Sequence, residues 1–272
     1  MFPFFTSPEA CVNSLRCLSF FSEIIKSSGA ADVPLTFVSE EKRASTLAAL
    51  SITDRFVTEE KGKQILAQYG ISTTREKLAE DLDKAKLCAK EIGYPVALKV
   101  VSPDLPHKTE AGVIRLNVMG EKELEKGYKE ILENAHTFCP EVRVLGVLVQ
   151  EMIAEGLEMI IGAKVDPQFG PVVMCGMGGI FAEIFHEFSL RRAPIGKKDV
   201  RGMLSELRAH KILLGARGND SCDVEEIIRT ILAVSQIIVE FQKEIVEIDL
   251  NPVKVFSEGK GVKCIDCLIV KR

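Results

Sequence analysis

The segment Tyr94–Asn117, Y-P-V-A-L-K-V-V-S-P-D-L-P-H-K-T-E-A-G-V-I-R-L-N, limits what the chain can fold into. Val96–Val101 is apolar and β-branched. Further on, Val113, Arg115 and Asn117 alternate with Ile114, Leu116 and Val118, the period of a half-buried strand. The segment thus reads as a strand, a polar loop and a returning strand. Lys99 interrupts the first run. On a strand it shares a face with Ala97 and Val101, while Val96, Leu98 and Val100 take the other. An ammonium aimed into a fold costs several kcal/mol unless an anion meets it. Lys99 therefore either stands over solvent or waits for a charged ligand. The loop Ser102–Gly112 carries His107, Lys108, Thr109 and Gly112 at its turn. Backbone N–H groups, a lysine and a glycine at a hairpin tip are the ingredients of a flap over phosphates. They are also those of an ordinary polar hairpin.

The chain has 272 residues, 46% of them hydrophobic, and a net charge of −4, enough for one large or two modest domains with a real core. Without a basic excess, nucleic acid is not an expected partner. No apolar run reaches the roughly 18 residues of a membrane span. Met1–Phe5 is apolar but lacks a basic flank, and Glu9, Arg16, Glu23 and Lys26 interrupt the next twenty or so positions. The N-terminus does not read as a signal peptide. Eight cysteines are scattered along the chain. Cys264 and Cys267 have C-x-x-C spacing, but on one strand their sulfurs would face opposite ways, and no second pair or nearby histidine completes a zinc set. Free thiols in a reducing cytoplasm are expected.

Ser7-Pro8-Glu9 starts a helix with a cap, a first-turn proline and an acid at the positive end. Cys11, Leu15, Leu18, Phe21 and Ile25 form its stripe. With a second helix over Glu40–Leu50, residues 1–50 make a helical extension. Thr58 caps a helix that opens with Glu59 and Glu60 and stops at Gly70. Thr74 opens another, with Leu78, Leu82, Ala85, Ala89 and Ile92 inward. The hairpin and a helix over Glu121–Ala135 complete an α+β lobe, 51–146. A second lobe spans 147–272. A strand over Val142–Met152 leads into it, and strands over Met159–Val165 and Val172–Met174 come next. Gly176-Met177-Gly178-Gly179 is a glycine cluster of the kind needed where φ is positive or backbones approach closely. Asp199 and Asp223 cap two helices, and strands Ile245–Asp249 and Val262–Ile269 pair at the end.

Glu247, Asp249, Asn251 and Asp266 stand on or beside those last strands. Asp249 and Asn251 are two apart, hence on one face. Asn and Asp oxygens from neighbouring strands suit Mg²⁺, a hard cation that keeps several waters and borrows phosphate oxygens. The same residues also cap backbone groups at strand-end turns. Lys99, a basic glycine-bearing loop and oxygen ligands in the other lobe together describe a cleft for phosphate transfer, which asks mainly for positioning and charge neutralisation.

Three separated segments carry a family resemblance: Y-P-V-A-L-K-V-V-S-P-D-L-P-H-K-T-E-A-G-V, E-M-I-I-G-A-K-V-D-P-Q-F-G-P-V-V-M-C-G-M-G-G-I and E-I-D-L-N-P-V. From about Val57 onward the chain resembles the ATP-grasp, or β, part of ADP-forming acetate–CoA ligases, acyl-CoA synthetases of the NDP-forming type related to the succinyl-CoA synthetase β subunit. The resemblance implies an ATP-grasp fold, with ATP or ADP and Mg²⁺ held between two α+β lobes. It further implies that Lys99 binds phosphate under a flap made by Lys108, Thr109 and Gly112. The backbone of Gln150, Glu151 and Met152 would hold adenine and Glu158 the ribose. Gly178 and Gly179 would form a second glycine loop, Arg191 would match a family arginine near phosphate, and Asn251 and Asp266 would bind the metal. His107 would carry a phosphoryl group, received from a phosphohistidine on a CoA-binding α subunit and presented to ADP. A neutral imidazole is a competent nucleophile near pH 7.

Two departures stand out. The family arginine after the last-strand aspartate is absent in Asp266-Cys267-Leu268, and Ala111 replaces a glycine before Gly112. S-P-E-A-C-V-N-S-L-R resembles the tail of the α-type region in fused members, so the resemblance implies either a β subunit, acting with a phosphohistidine-bearing α subunit as a heterotetramer, or the C-terminal piece of a longer protein. A second class of function stays open: an ATP-sensing module of a protein acetyltransferase assembly, which binds nucleotide without phosphoryl transfer. An ATP-grasp carboxylate–amine ligase would not account for His107-Lys108-Thr109.

Overall fold

Two β-sheets, each covered on one face by helices, carry the body of the chain. The computed structural model describes residues 7–27, 39–51, 55–105, 111–179, 182, 187–215 and 220–272. In order the elements are α1 (Pro8–Ser27), α2 (Glu40–Ser51), β1 (Phe56–Val57), α3 (Glu59–Gln68), β2 (Glu76–Ala79), α4 (Leu82–Ile92), β3 (Val96–Val101), β4 (Ile114–Val118) and α5 (Glu121–Phe138). Next come β5 (Gly146–Glu151), β6 (Leu157–Asp166), β7 (Gly170–Met177), β8 (Phe188–Arg192), α6 (Lys197–Glu206), α7 (His210–Leu213), α8 (Val224–Glu240), β9 (Ile245–Val255), β10 (Val262–Cys264) and β11 (Cys267–Lys271).

The first sheet has the order β2-β5-β3-β4. Val96, Leu98 and Val100 of β3 and Val147 and Val149 of β5 pack on Ala85 and Ala89 of α4 and on Leu124, Ile131 and Ala135 of α5. The alternate residues turn the other way, and Lys99 is among them. The second sheet runs β1-β11-β9-β6-β7-β8, with β10 also on β9. Its core joins Met159, Ile161, Val173, Cys175, Ile248 and Leu250 to Met203 of α6 and to Ile227, Ile231, Val234 and Ile238 of α8. Each such Leu or Ile contributes about 1.5–3 kcal/mol by leaving water.

The two lobes divide differently from the sequence expectation. Strand β5 pairs with β2 and β3, so 147–151 belong to the first sheet and not the second. Leu50, Val57, Ile65 and Leu66 enter the second core, because β1 pairs with β11 and α3 lies on it. Helix α2 is also part of the body: Leu50 is buried and Thr46 donates to Gln68 of α3 at 2.9 Å. The extension is therefore shorter than 1–50. Residues 1–34 form a separate compact unit around α1, on which Val12, Leu15 and Leu18 are exposed.

The helix expected from Thr74 is a strand and then a helix. Glu76–Ala79 pairs with β5, and Asp81 is the true cap, accepting from the Lys84 N–H at 2.7 Å. Leu78 matches the helical spacing although it lies on the strand. Asp199 acts from inside α6, accepting from the N–H of the cap residue Gly196 at 2.9 Å. Cys264 and Cys267 lie on separate strands, both buried and both in the second core. All the cysteines are free thiols.

Candidate functional site

Register places Lys99 opposite Leu148, and Ala97 and Glu76 each opposite Gln150. Lys99, Gln150 and Glu76 therefore share the face of the first sheet that lacks α4 and α5. Lys99 is only 4% exposed. Its Nζ lies 2.7 Å from Oε1 of Glu59 on α3 and 3.4 Å from Oδ2 of Asp266, which precedes β11 of the second sheet. The ammonium thus meets its anions at the junction of the lobes.

Lys63, one turn after Glu59, completes the network. Its Nζ bonds Glu59 Oε1 at 2.9 Å, Thr74 Oγ1 at 2.9 Å, Glu76 Oε2 at 2.6 Å and the Ile265 carbonyl at 2.7 Å. Burial opposes its charge, but Glu59 and Glu76 outweigh that and hold Lys63 above the ordinary lysine value. Burial pushes the Glu76 carboxyl up, against the pull of Lys63. Gln150 reaches into the same group, donating to Thr74 Oγ1 at 2.6 Å and to the Ile265 carbonyl at 2.7 Å. Its side chain therefore ties the lobes together, which a purely backbone role for Gln150 does not describe.

On the second sheet, Leu250 pairs with Cys267 and Val253 with Cys264. The same antiparallel register carried between them sets Asn251 opposite Asp266, with both side chains on the face away from the α6–α8 core. Asp249, opposite Leu268, shares that face. Burial, with Glu247 and Asp266 as neighbouring negative charges, raises the Asp249 carboxyl. Crowded oxygen donors that destabilise one another's charge fit a hard divalent cation. Among the described residues no three His, Cys, Asp or Glu side chains form a metal cluster, so Asn251 and Asp266 would leave most of a Mg²⁺ shell to water and phosphate.

At the hinge, Glu151 donates its N–H to the Arg75 carbonyl at 2.9 Å, and Met152 donates to that of Pro95 at 3.3 Å. Both N–H groups are thus taken within the first lobe. The Glu151 carboxylate accepts from the Arg75 N–H at 2.9 Å, Arg75 Nε at 2.8 Å and Lys263 Nζ at 2.7 Å. Glu158 is the second residue of β6, where its carboxylate lies 3.0 Å from Lys254 Nζ and its carbonyl accepts from the Gly178 N–H at 2.7 Å. Gly179 has φ +56°, a left-handed conformation that favours glycine, and a Cβ there would displace the Glu158 carboxylate. Gly112, at φ +63°, receives a hydrogen bond on its carbonyl from Asn134 at 2.8 Å. His107, Lys108 and Thr109 lie outside the described residues.

Arg191 is the exception to the convergence. Strand period and register put it opposite Val173, on the face covered by α6, where it pairs with Glu206 and reaches Ser189. Glu158, Asp249 and Asn251 lie on the other face, so Arg191 is not brought to them. Sequence reasoning also missed Glu59 and Lys63. Their i,i+4 spacing at a helix start resembles any exposed ion pair, and only tertiary burial sets them apart.

A family model for the ATP-grasp domain matches residues 48–270. The chain belongs to the ATP-grasp family, in the branch of the ADP-forming acetate–CoA ligases. It is 44% identical over 214 residues to the Acetate–CoA ligase [ADP-forming] II subunit beta of Pyrococcus furiosus, spanning 79% of this chain and 91% of that one. It is 40% identical over 260 residues to Acetate–CoA ligase [ADP-forming] I of Archaeoglobus fulgidus, covering 96% of this chain but only 38% of that longer protein. A solved structure of the Ca. Korarchaeum cryptofilum dinucleotide forming acetyl-coenzyme A synthetase 1 matches with TM-score 0.71 and 38% identity, over 85% of this chain and 100% of that one. That protein is in complex with coenzyme A and Mg-AMPPCP, its phosphohistidine segment pointing towards the nucleotide binding site. No helix among the described residues is long and apolar enough to cross a membrane.

Proposed function

We propose that the chain is the nucleotide-binding subunit of an ADP-forming acyl-CoA ligase, exchanging phosphate between a phosphohistidine and ADP. The full reaction is acyl-CoA + ADP + phosphate ⇌ acid + CoA + ATP. The observation that carries this is the 3.4 Å approach of Lys99, from the first lobe, to Asp266, from the second. A cation and an oxygen ligand from opposite lobes meet where one polyanion could engage both.

In this reading Lys99 neutralises phosphate, and Lys108, Thr109 and Gly112 would be the residues that cover it. Asn251 and Asp266 would hold Mg²⁺, which supplies further charge neutralisation when bound. The backbone of Gln150, Glu151 and Met152 orients adenine, and Glu158 meets the ribose beside Gly178 and Gly179. His107 takes a phosphoryl group from the partner's phosphohistidine, breaking one P–N bond as another forms. That P–N bond then breaks as a terminal oxygen of ADP forms the new P–O bond, which returns His107 to a free imidazole. The relatives named as β subunits, and the phosphohistidine segment in the Korarchaeum protein, support a CoA-binding partner subunit.

The test is co-purification with a candidate CoA-binding α chain and an assay of acid- and CoA-dependent ADP release from ATP. Nucleotide binding without any acid-dependent ADP release in that assembly would sink the ligase and favour a sensing module.

A further inference from the structure

We infer that Glu59 is the positioning residue for Lys99, holding its ammonium away from Asp266 so that lysine and aspartate can engage the phosphates and the cation separately. The inference rests on the nucleotide reading of the cleft.

Glu59 is the first residue of α3, where an acid is favoured by the positive helix end. An exposed glutamate would satisfy that preference. This one is 3% exposed, and burying a carboxylate is costly unless it is fully paired. One oxygen, Oε1, receives both Lys63 at 2.9 Å and Lys99 at 2.7 Å. The two lysines differ in what else they hold. Lys63 faces four acceptors with three protons and is saturated by the protein itself. It cannot serve a ligand, but it fixes Glu59 in place.

Lys99 makes a charge-assisted hydrogen bond to Glu59, whereas its contact with Asp266 at 3.4 Å is longer than such bonds run. Glu59 therefore sets the direction of the ammonium. With that carboxylate neutral, Asp266 is the nearest anion left to Lys99 among the described residues, and the two would close on each other. Phosphate would lose its lysine and the cation its carboxylate through the same movement.

The test is a double-mutant cycle of Glu59→Gln and Lys99→Met in the full chain, read by calorimetric titration with ADP over a range of Mg²⁺ concentrations. Glu59→Gln alone is expected to weaken ADP binding on the order of tenfold and to raise the Mg²⁺ needed for half-maximal binding. In the Lys99→Met background it should add almost nothing, because Glu59 acts through Lys99. A full, additive loss in that background would overturn the inference and leave Glu59 a structural residue. Should Glu59→Gln fail to fold, Glu59→Asp keeps the charge, and the same non-additivity is expected from its shorter reach. If Lys99→Met itself leaves ADP binding intact, the nucleotide reading fails first, and the inference falls with it.

Discussion

Lys99 and Asp266, 167 positions apart in sequence, are brought within 3.4 Å by two sheets with separate hydrophobic cores. Strand alternation in β3 turns Lys99 away from the first core, and the β9–β11 register turns Asp266 away from the second. The pair is thus a product of packing on both sides. Glu59, at 2.7 Å, is the closer partner of the buried ammonium, and Asp266 stays partly exposed, so both charges are available to a ligand that supplies a cation and an anion.

Lys99→Met should preserve the fold, since Glu59 keeps Lys63 as its partner. It should lower kcat/KM for ADP by about a hundredfold or more, the scale of losing one preorganised charge contact. Steady-state kinetics in the assembled enzyme checks this. An unchanged KM and kcat would place phosphate elsewhere.

Asn251→Ala and Asp266→Asn should act on the metal requirement rather than on stability. Asn251 is exposed, and Asp266→Asn removes a negative neighbour of the half-buried Asp249 carboxyl while Lys99 keeps its closer partner Glu59. Half-saturation by Mg²⁺ is expected to rise on the order of tenfold or more, with the melting temperature unchanged or slightly raised. Equal Mg²⁺ dependence in both variants and the parent would remove these two residues from the metal site.

His107→Ala should abolish ATP formation with the partner subunit while ADP affinity stays within about twofold, because the histidine is assigned to transfer and not to binding. Trapping ³²P-labelled phosphohistidine on this chain from labelled phosphate and acyl-CoA gives a second readout. Label on the parent chain but not on the variant is the expected result, and turnover retained by the variant would refute the carrier role.

Much of this site was legible in the sequence for a physical reason. A lysine breaking a β-branched run announces either solvent or an anion, and burial against Glu59 and Asp266 excludes solvent; an Asp and an Asn two apart near a strand end announce a shared face. What stayed hidden depends on tertiary placement. Glu59 and Lys63 have an ordinary helical spacing, and nothing local reveals that the first is buried under both lysines. Arg191 fits the family pattern, but strand parity sends it to the helix-covered face and Glu206. Leu78 fits a helical stripe that the pairing of β2 with β5 overrides. The lobe boundary shifted because β5 is held by its neighbours in the first sheet, a choice that hydrophobicity alone does not make.

Glu151 supplies a pH test of the junction itself. It lies in the first sheet and receives Lys263 from the second. Burial would raise its carboxyl, but hydrogen bonds from Lys263 and Arg75 outweigh burial and hold it below the ordinary glutamate value of 4.5. A carboxyl depressed in the folded state contributes stability that is present above its unfolded value and is lost as pH falls through the folded one. Glu151→Gln should therefore destabilise the chain by about 1–3 kcal/mol at pH 7, with the difference shrinking as pH drops below 4.5. Denaturant melts of both proteins across pH 3 to 8 would measure it. A gap that stays constant over that range would mean that Glu151 contributes through packing, and that the tie to Lys263 does not hold the lobes together.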